Sequence, residues 1–541
     1  MRAHLFKAMI LGGILGGAAI AGLTAASATG QEQSGTAVAP LLETSYGPVR
    51  GSREGDVAIF KGIRYGASTE GHRFQVSQAP QPWTKPVDAL DYGNDCPQGN
   101  GGEVPLFTSW VNHRPRSEDC LFLNVWTRGI ADQGKRPIMV WLHGGGYLAG
   151  SGSSHGYDGV RLTERGDVVV VTLNHRLNAF GHLYLAGLSD DPRYADSGNV
   201  GMLDIVRALQ WVHDNAEAIG GDATNITIFG ESGGAAKVST LMGMEDAKGL
   251  FQRAVAQSGS MSLAGFEPAL ATGIAKDIMH AAGTPTIEKL AAMPMDDFIA
   301  AMRKSRSRGG LFQPVIDGRA LKRHAFSPDA SPVSKDVPLL VGTNRTEMRL
   351  QAGLRDSHNF DLSWEELPAK LSPFLGDLDP APIIAGMHKA FPQSDASDIF
   401  FHVATHRNYR KTAITQAERK AEQGGAPVWM YRLDWATPVD GGKWQSPHAL
   451  DIGFVFDNVA KSTSMTGSGP EQQRLADLMS DAWIAFARTG NPQTAALPDW
   501  PTYDITRRAT MIFNVKPAVV DDPDGAERKL LDVLPEGRGR R

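Results

Sequence analysis

A serine at position 232 lies in the stretch of this chain whose residue types and spacing most clearly suggest chemistry. The sequence reads Gly-Glu-Ser-Gly-Gly at 230–234, after an apolar, β-branched run at 226–229 and before an apolar pattern at helical spacing. A serine on such a strand-to-helix corner adopts a strained conformation that exposes its hydroxyl, and the flanking glycines let strand and helix approach closely. The stretch therefore predicts a nucleophile elbow with Ser232 as the reacting group.

The same five-residue pattern occurs a second time, around Ser154. That copy, Gly-Ser-Ser-His-Gly at 152–156, lies in a Gly- and Ser-rich stretch with no strand pattern before it and no apolar helix after it, so we interpret it as a loop. Context therefore selects Ser232. The alternative for Ser232 is a serine that only caps the helix that follows it.

Three consecutive glycines form a second chemical feature. His-Gly-Gly-Gly-Tyr at 143–147 follows the continuous apolar run 138–142, which is typical of a strand buried on both faces. Attack on an ester carbonyl builds negative charge on its oxygen, and backbone N–H groups that converge there stabilise it. We expect an oxyanion hole made by the N–H groups of Gly145, Gly146 and Gly233. A phosphate-binding loop is disfavoured, because no Gly-Lys-Ser/Thr follows the glycines.

The elements that must position these groups alternate between strands and helices. Further strand patterns occur at 121–126, 168–173, 254–257, 338–341 and 428–433. Asn199 is predicted to cap a helix, and 41–65 is predicted to form an antiparallel hairpin that opens the domain. Residues 264–310 and 352–425 look largely helical and are expected to cap or flank the site. The alternation predicts an α/β fold with a central, mainly parallel sheet and helices on both faces.

Composition and charge restrict the class of protein. The 541 residues carry a formal net charge of −5, and no basic cluster is interleaved with aromatic residues, so we expect no nucleic-acid partner. No internal repeat and no Pro/Gly/Ser-rich linker divides the chain. We therefore expect one large domain over residues 29–541.

Residues 1–28 are predicted to be a secretory signal peptide rather than part of the fold. Arg2 and Lys7 make the start positive, 8–23 is an uncharged apolar run, and Ala-Ser-Ala at 26–28 is a cleavage pattern. A membrane anchor is the alternative, but the run is short and rich in glycine. We expect an exported protein, periplasmic or secreted, with no stable membrane anchor after cleavage near Thr29.

The sequence contains two cysteines, Cys96 and Cys120. In an oxidising compartment an even number of cysteines favours a disulfide over two free thiols. On the chain-entropy model, closing this loop would stabilise the fold by about 3 kcal/mol. No pair of histidines lies nearby, so the cysteines do not predict a zinc site.

With these motifs the chain resembles the type-B carboxylesterases, the cholinesterase-like branch of the α/β-hydrolases, over nearly everything after the signal. Besides the elbow and the glycine triplet, the matching motifs are Ser-Glu-Asp-Cys-Leu-Phe-Leu-Asn-Val at 117–125, Ala-Leu-Gln-Trp-Val at 208–212, Gln-Ser-Gly at 257–259, Pro-Val-Ile-Asp-Gly at 314–318 and Gly-Asn-Pro at 490–492. The resemblance implies an α/β-hydrolase fold, a Ser-Glu-His triad, a Cys96–Cys120 bridge, and no metal or organic cofactor.

The resemblance also assigns the two remaining members of the triad. The family carries its acid in a Gly-x-Asn-x-Asp-Glu-Gly loop after a strand, which corresponds here to 342–348 and implies Glu347 as the acid. Thr346 and Met348 depart from the family pattern, whereas the carboxylate matches it. The family histidine precedes an apolar, strand-like run, which implies His448 as the base.

Three more polar residues are expected near the triad. Asp451 is a competing acid, but a residue three positions beyond His448 points its side chain away unless the chain turns, so we favour Glu347. Glu231 resembles a family residue beside the triad, and Ser258 resembles one behind it. We expect both to support the reacting groups without reacting themselves.

The predicted function is hydrolysis of a small-molecule carboxylic ester. His448 would take the proton of Ser232, the serine would attack the carbonyl, and water would release the acid from the acyl-enzyme. Two alternatives stay open: an amidase or acyltransferase that uses the same triad, and a non-catalytic binding protein of the same fold. The intact triad argues against the second alternative, because binding requires none of its members.

Overall fold

One large sheet forms the centre of this computed structural model, which describes residues 39–99, 104–259, 263, 265–305 and 312–535. Its strands, with those of a small second sheet, are β1 (Leu41–Thr44), β2 (Gly47–Arg50), β3 (Ser52–Glu54), β4 (Val57–Arg64), β5 (Val87–Asp88), β6 (Phe122–Thr127), β7 (Arg136–Leu142), β8 (Val169–Leu173), β9 (Gly221–Glu231), β10 (Arg253–Gln257), β11 (Leu339–Asn344), β12 (Val428–Leu433), β13 (Ala509–Phe513) and β14 (Ala518–Asp521). The helices are α1 (Val160–Gly166), α2 (Asn178–His182), α3 (Val200–Asp214), α4 (Gly233–Leu241), α5 (Pro268–Ala281), α6 (Ile287–Ala291), α7 (Met295–Lys304), α8 (Met348–Arg355), α9 (Leu367–Leu375), α10 (Pro380–Ala390), α11 (Ala396–Thr405), α12 (Lys411–Glu422), α13 (Leu450–Val455), α14 (Thr463–Thr466), α15 (Pro470–Thr489) and α16 (Gly525–Leu531).

The main sheet is mostly parallel, as the sequence predicts. Its strand order is β14-β13-β12-β11-β10-β9-β7-β8-β6-β4-β3. Every neighbouring pair between β13 and β8 in this order is parallel. At one end β14 pairs antiparallel with β13, and at the other end the pairs β8-β6, β6-β4 and β4-β3 are antiparallel. The carboxyl ends of the central parallel strands therefore meet at one edge, where α/β proteins place their sites.

Strand β7 shows how the core covers both faces of this sheet. Ile138, Val140 and Leu142 pack into the cluster that contains the apolar residues of α3 and α4. Met139 and Trp141 point the other way, into the cluster built by α15. Alternate side chains of one strand thus enter two cores, which is why the sequence of β7 is continuously apolar.

Residues 41–65 form two hairpins instead of the single hairpin expected from the sequence. Strands β1 and β2 pair antiparallel and join β5 in a separate three-stranded sheet. Strands β3 and β4 pair antiparallel at the edge of the main sheet. The first four residues of β4 are all buried, and Leu42 of β1 and Val49 of β2 pack into the same core as the main sheet.

Two local predictions are wrong. Asn199 does not cap α3 with its side chain; its Nδ2 donates to the Val315 carbonyl at 2.8 Å and its Oδ1 accepts from the Val315 N–H at 2.9 Å. The apolar run after His448 forms helix α13 rather than a strand, beginning after Ala449 in the left-handed conformation at φ 69°. The amide of Asn199 bonds to the buried backbone of Val315 instead of to the end of the helix. The run after His448 is short and buried, and such a run has the same composition in a helix and in a strand.

Helices dominate the two regions for which the sequence predicts them. Helices α5 to α7 lie within 268–304, and α8 to α12 lie within 348–422. No helix in the part of the chain that the structure describes has the length and apolar character needed to cross a membrane. The predicted signal peptide at 1–28 lies outside the described residues.

Candidate active site

Ser232 lies at the corner between β9 and α4. Its φ and ψ are 57° and −118°, a region that residues with a side chain rarely adopt, and its N–H donates to the Gln257 carbonyl at 2.8 Å. A Cβ on Gly234 would overlap the Leu142 carbonyl oxygen, so glycine is needed where the helix meets β7. The predicted strand-turn-helix corner is present, and the surrounding packing holds the serine in a strained conformation.

Ser154, the serine of the second pattern, has a different environment. Its Oγ accepts from the Gly156 N–H at 3.3 Å and donates to the Trp110 carbonyl at 3.1 Å. It caps a single 3-10 turn, His155–Tyr157. Its hydroxyl is thus engaged in local structure, and no strand-to-helix corner surrounds it.

The residues that the resemblance assigns as acid and base lie in direct contact. His448 Nδ1 is 2.7 Å from Glu347 Oε2, and the His448 N–H donates to the Glu347 carbonyl at 3.3 Å. The second carboxylate oxygen accepts from the Asn344 N–H at 2.7 Å and from Ser258 Oγ at 2.5 Å. Glu347 is fully buried. A carboxylate that accepts at Nδ1 fixes the tautomer, leaving Nε2 of the neutral ring as the proton acceptor.

Asp451, the competing acid, belongs to another network. It accepts from Gln257 Nε2 at 2.9 Å and from the Tyr431 hydroxyl at 2.8 Å. Burial raises the pKa of Asp451, and these two hydrogen bonds oppose that effect. The carboxylate at His448 Nδ1 is that of Glu347, whereas the hydrogen bonds of Asp451 go to Gln257 and Tyr431.

Glu231 makes a contact that the sequence did not predict in detail. Its Oε1 lies 3.2 Å from His448 Nε2, the ring nitrogen opposite the one bound to Glu347. Burial raises the pKa of Glu231. Burial lowers the pKa of His448, but the charge of Glu231 and the hydrogen bond to Glu347 outweigh it and raise that pKa to about 9. Because Glu231 directly precedes Ser232, this contact also places Nε2 at the elbow.

Sequence reasoning missed Tyr409, whose ring centroid is 4.8 Å from that of His448. Tyr409 lies in a π-helical turn, His406–Arg410, between α11 and α12, and its hydroxyl donates to Gln351 Oε1 at 2.6 Å. Turns of this kind inside α-helices frequently occur at functional sites. No sequence motif marks them, so the residue could be found only from the fold.

The glycine triplet lies against the elbow. Gly145 and Gly146 have φ values of 84° and 66°, which favour glycine. A Cβ on Gly144 would be 3.5 Å from the Ser232 Cβ, and a Cβ on Gly233 would overlap the backbone of Gly146. Within the described chain, no protein acceptor is bound by the N–H of Gly145, Gly146 or Gly233. The three predicted donors are therefore near the serine and available to a ligand oxygen.

The expected disulfide between Cys96 and Cys120 is present. It lies next to the glycine segment through Gln98, whose Nε2 donates to the carbonyls of Cys96 at 3.2 Å and Gly150 at 3.0 Å. Gln98 Oε1 accepts from the Gly150 N–H at 2.9 Å. The bridge is therefore linked through Gln98 to Gly150, which lies shortly after the glycine triplet and its predicted donors in the chain.

The site brings together several residue types that also bind metals. In the described ranges, no group of three or more His, Cys, Asp or Glu side chains is arranged to hold a metal ion. The carboxylates of Glu231 and Glu347 instead lie on opposite sides of one imidazole. The arrangement suits proton transfer between a serine, an imidazole and a carboxylate.

Comparison with known proteins gives a consistent result. The model of the "Carboxylesterase family" matches residues 38–372 and 385–529. The para-nitrobenzyl esterase of Bacillus subtilis (strain 168) is 35% identical over 501 residues, covering 91% of this chain and 98% of the relative. The phenmedipham hydrolase of Pseudarthrobacter oxydans is 30% identical, covering 89% and 96%. A crystal structure of a Geobacillus stearothermophilus carboxylesterase has a TM-score of 0.80 at 37% identity, covering 91% of this chain and 99% of that one.

Proposed function

We propose that this chain, which belongs to the carboxylesterase family and hydrolyses carboxylic esters, does so through an acyl-enzyme on Ser232. The observation that carries the proposal is the geometry of His448. Glu347 holds its Nδ1 at 2.7 Å, while its Nε2 faces the elbow, 3.2 Å from the carboxylate next to the serine. An imidazole held in this way is ready to accept the serine proton.

The first half of the reaction forms the acyl-enzyme. His448 Nε2 takes the proton of Ser232 Oγ as Oγ bonds to the ester carbonyl carbon, and the carbonyl π electrons move onto oxygen. The N–H groups of Gly145, Gly146 and Gly233 stabilise that charge, by roughly 3 kcal/mol per donor. When the carbonyl re-forms, the carbon–oxygen bond to the alcohol breaks, and the alcohol leaves with the proton from Nε2.

The second half repeats these steps with water. His448 takes a proton from water, the hydroxide oxygen bonds to the acyl carbon, and the same three donors bind the oxyanion. Collapse of this intermediate returns the proton to Ser232 and releases the acid. Glu347 stabilises the imidazolium in both halves without itself taking the proton.

Labelling with a sulfonyl fluoride tests the nucleophile. We expect one equivalent on the peptide that contains Ser232, and none after Ser232→Ala, because this serine combines strained exposure with a neighbouring base. Ser154→Ala is the matched control, since it changes the serine of the second Gly-x-Ser-x-Gly pattern, and it should label and turn over normally. Label on Ser154, or unchanged hydrolysis by the folded Ser232→Ala protein, would contradict the proposal.

The substrate class we propose is small-molecule esters. Two relatives are named for para-nitrobenzyl and phenmedipham, and both match this chain along nearly their whole length. A set of esters that vary separately in acyl chain and alcohol, each paired with the amide of the same acyl group, would define the preference. Faster turnover of the amides than of the esters would favour the amidase alternative, and acyl transfer to an added alcohol at the expense of hydrolysis would favour the acyltransferase.

We also propose that the protein acts outside the cytoplasm, in the periplasm or the medium. The supports are the signal-like pattern of 1–28 and the disulfide between two buried cysteines, since disulfides persist in oxidising compartments. The mass of the protein recovered from each cell fraction tests this. We expect an exported protein that begins near Thr29 and shows no free thiol before reduction; full-length protein confined to the cytoplasm would contradict it.

A further inference from the structure

A lysine is buried behind the glycine triplet. Lys237 lies on α4, one turn beyond the elbow, and its side chain has no exposed surface. Its Nζ donates to the His143 carbonyl at 2.9 Å, and the described residues provide no other hydrogen-bond partner and no carboxylate within ion-pair distance. An amine buried without a counter-charge is costly, so a contribution to stability is a weak explanation for its presence.

The same face of α4 contacts the glycine segment at several points. A Cβ on Gly233 would overlap Gly146, and a Cβ on Gly234 would lie 3.1 Å from the His143 carbonyl oxygen. Lys237 reaches that same oxygen from one turn further along, and Thr240 Oγ1 lies 3.3 Å from the Tyr147 hydroxyl. Positions 233, 237 and 240 share one side of a helix, so a single face of α4 supports the segment that carries the oxyanion donors.

Two groups of the glycine segment face the Lys237 amine: the ring of Tyr147, whose centroid is 5.7 Å from Nζ, and the His143 carbonyl, which accepts its hydrogen bond. The rings of His143 and His175 stack at 5.0 Å, and each Nδ1 donates to a main-chain carbonyl, of Gly144 and Arg176 respectively, at 2.9 Å. Burial and then the charge of Lys237 lower the pKa of both imidazoles, which keeps them neutral. Burial likewise lowers the pKa of the Lys237 amine to about 7, and the amine keeps N–H donors in either protonation state.

We propose that Lys237 is a positioning residue for ester hydrolysis. By donating to the His143 carbonyl it fixes the peptide that leads into the triplet, and so aims the N–H groups of Gly145 and Gly146 at the oxygen of the substrate carbonyl. This inference rests on the proposed function, because it assigns those N–H groups to the oxyanion. Donors that are aimed at the oxyanion stabilise the transition state more than the bound ester, so the effect falls on kcat rather than KM.

Lys237→Met tests this, because it keeps an unbranched chain that is only one atom shorter than lysine and removes the donor. We expect kcat to fall tenfold to a hundredfold while KM stays within twofold. Affinity for a trifluoromethyl ketone, whose adduct with Ser232 carries an oxyanion, should fall by a similar factor. The midpoint of thermal unfolding should not fall along with kcat, because the variant also removes a buried amine that has no counter-charge.

Lys420→Met is the matched control. Lys420 lies on α12, away from the elbow, and is also fully buried. Its Nζ donates to the carbonyls of Ser334 at 2.8 Å and Lys335 at 2.9 Å. The Lys420→Met protein should keep native kcat and native inhibitor affinity even if its thermal stability changes. If Lys237→Met does not fold, Lys237→Leu, which also has no donor, takes its place.

Three results would overturn the inference. The first is a folded Lys237 variant with native kcat and native inhibitor affinity. The second is a Lys237 variant in which KM rises and kcat does not change. The third is a fall in kcat in the Lys420→Met protein as large as that in Lys237→Met. Ser232→Ala separates this inference from the function on which it rests. If Ser232→Ala abolishes hydrolysis and Lys237→Met is native, only the role of Lys237 is wrong; if Ser232→Ala hydrolyses esters normally, the proposed function itself fails.

Discussion

Replacing Glu231 by glutamine is expected to shift the pH dependence of ester hydrolysis to lower pH. Glu231 Oε1 lies 3.2 Å from His448 Nε2, the atom proposed to take the serine proton. A negative charge at that distance stabilises the imidazolium, which cannot act as a base. The rate of hydrolysis should therefore rise with pH as His448 loses its proton. Removing the charge of Glu231 should allow His448 to lose its proton at lower pH.

The expected size of the shift follows from the distance. Two unit charges 3.2 Å apart interact by about 5 kcal/mol at an effective dielectric constant of about 20, and by about 1.3 kcal/mol at about 80. One pKa unit corresponds to about 1.4 kcal/mol. Against burial, Glu231 and Glu347 together raise the pKa of His448 to about 9. Loss of the Glu231 charge should lower that pKa by at least about one unit, to about 8 or below.

The assay is kcat/KM for an uncharged ester from about pH 5.5 to about pH 10, since this ratio reports groups of the free enzyme. We expect a rising profile with a midpoint near 9 for the natural protein, and a midpoint at least about one unit lower for Glu231→Gln. Asp451→Asn is the control, because Asp451 is the weakest of the carboxylate influences on His448 and should shift the midpoint much less. An unchanged midpoint in Glu231→Gln would refute the reasoning.

Three further predictions follow from the same contacts. Glu347→Gln should lower kcat by roughly 10³ to 10⁴ at equal thermal stability, whereas Asp451→Asn should cost far less, because only Glu347 accepts from Nδ1; reversed results in steady-state kinetics would assign the acid to Asp451. Gly234→Ala should lower kcat by about tenfold, since its Cβ would overlap the Leu142 carbonyl oxygen and shift the elbow; native kcat would show that this packing is not required. Replacing both Cys96 and Cys120 by serine should lower the free energy of unfolding by about 3 kcal/mol; an unchanged urea midpoint would contradict that.

The sequence predicts most of the fold because the fold depends on patterns along the chain. Strand β7 is continuously apolar because both of its faces enter a core. The corner at Ser232 is visible because strained turns between a strand and a helix need glycine at fixed positions. The run after His448 is a helix where the sequence predicts a strand, because a short buried segment has the same composition in both.

The site was only partly predictable, because its details depend on side chains that are far apart in sequence. The pattern of the family points to Glu347 and His448, and the structure places the two in contact. The approach of Glu231 to Nε2 and the ring of Tyr409 against the imidazole arise from packing of distant elements. Lys237 looks like an ordinary helix residue in the sequence; only its burial beneath the glycine segment suggests a role.

Trapping the acyl-enzyme tests the central claim most directly. The purified protein is mixed with a slowly hydrolysed ester, quenched in acid during turnover, digested, and mapped by mass spectrometry. We predict an added acyl mass on one peptide, with the modification on Ser232, and its absence after Ser232→Ala or when the ester is omitted. An acyl group on another residue, or continued hydrolysis by Ser232→Ala with no acyl group trapped, would contradict the account.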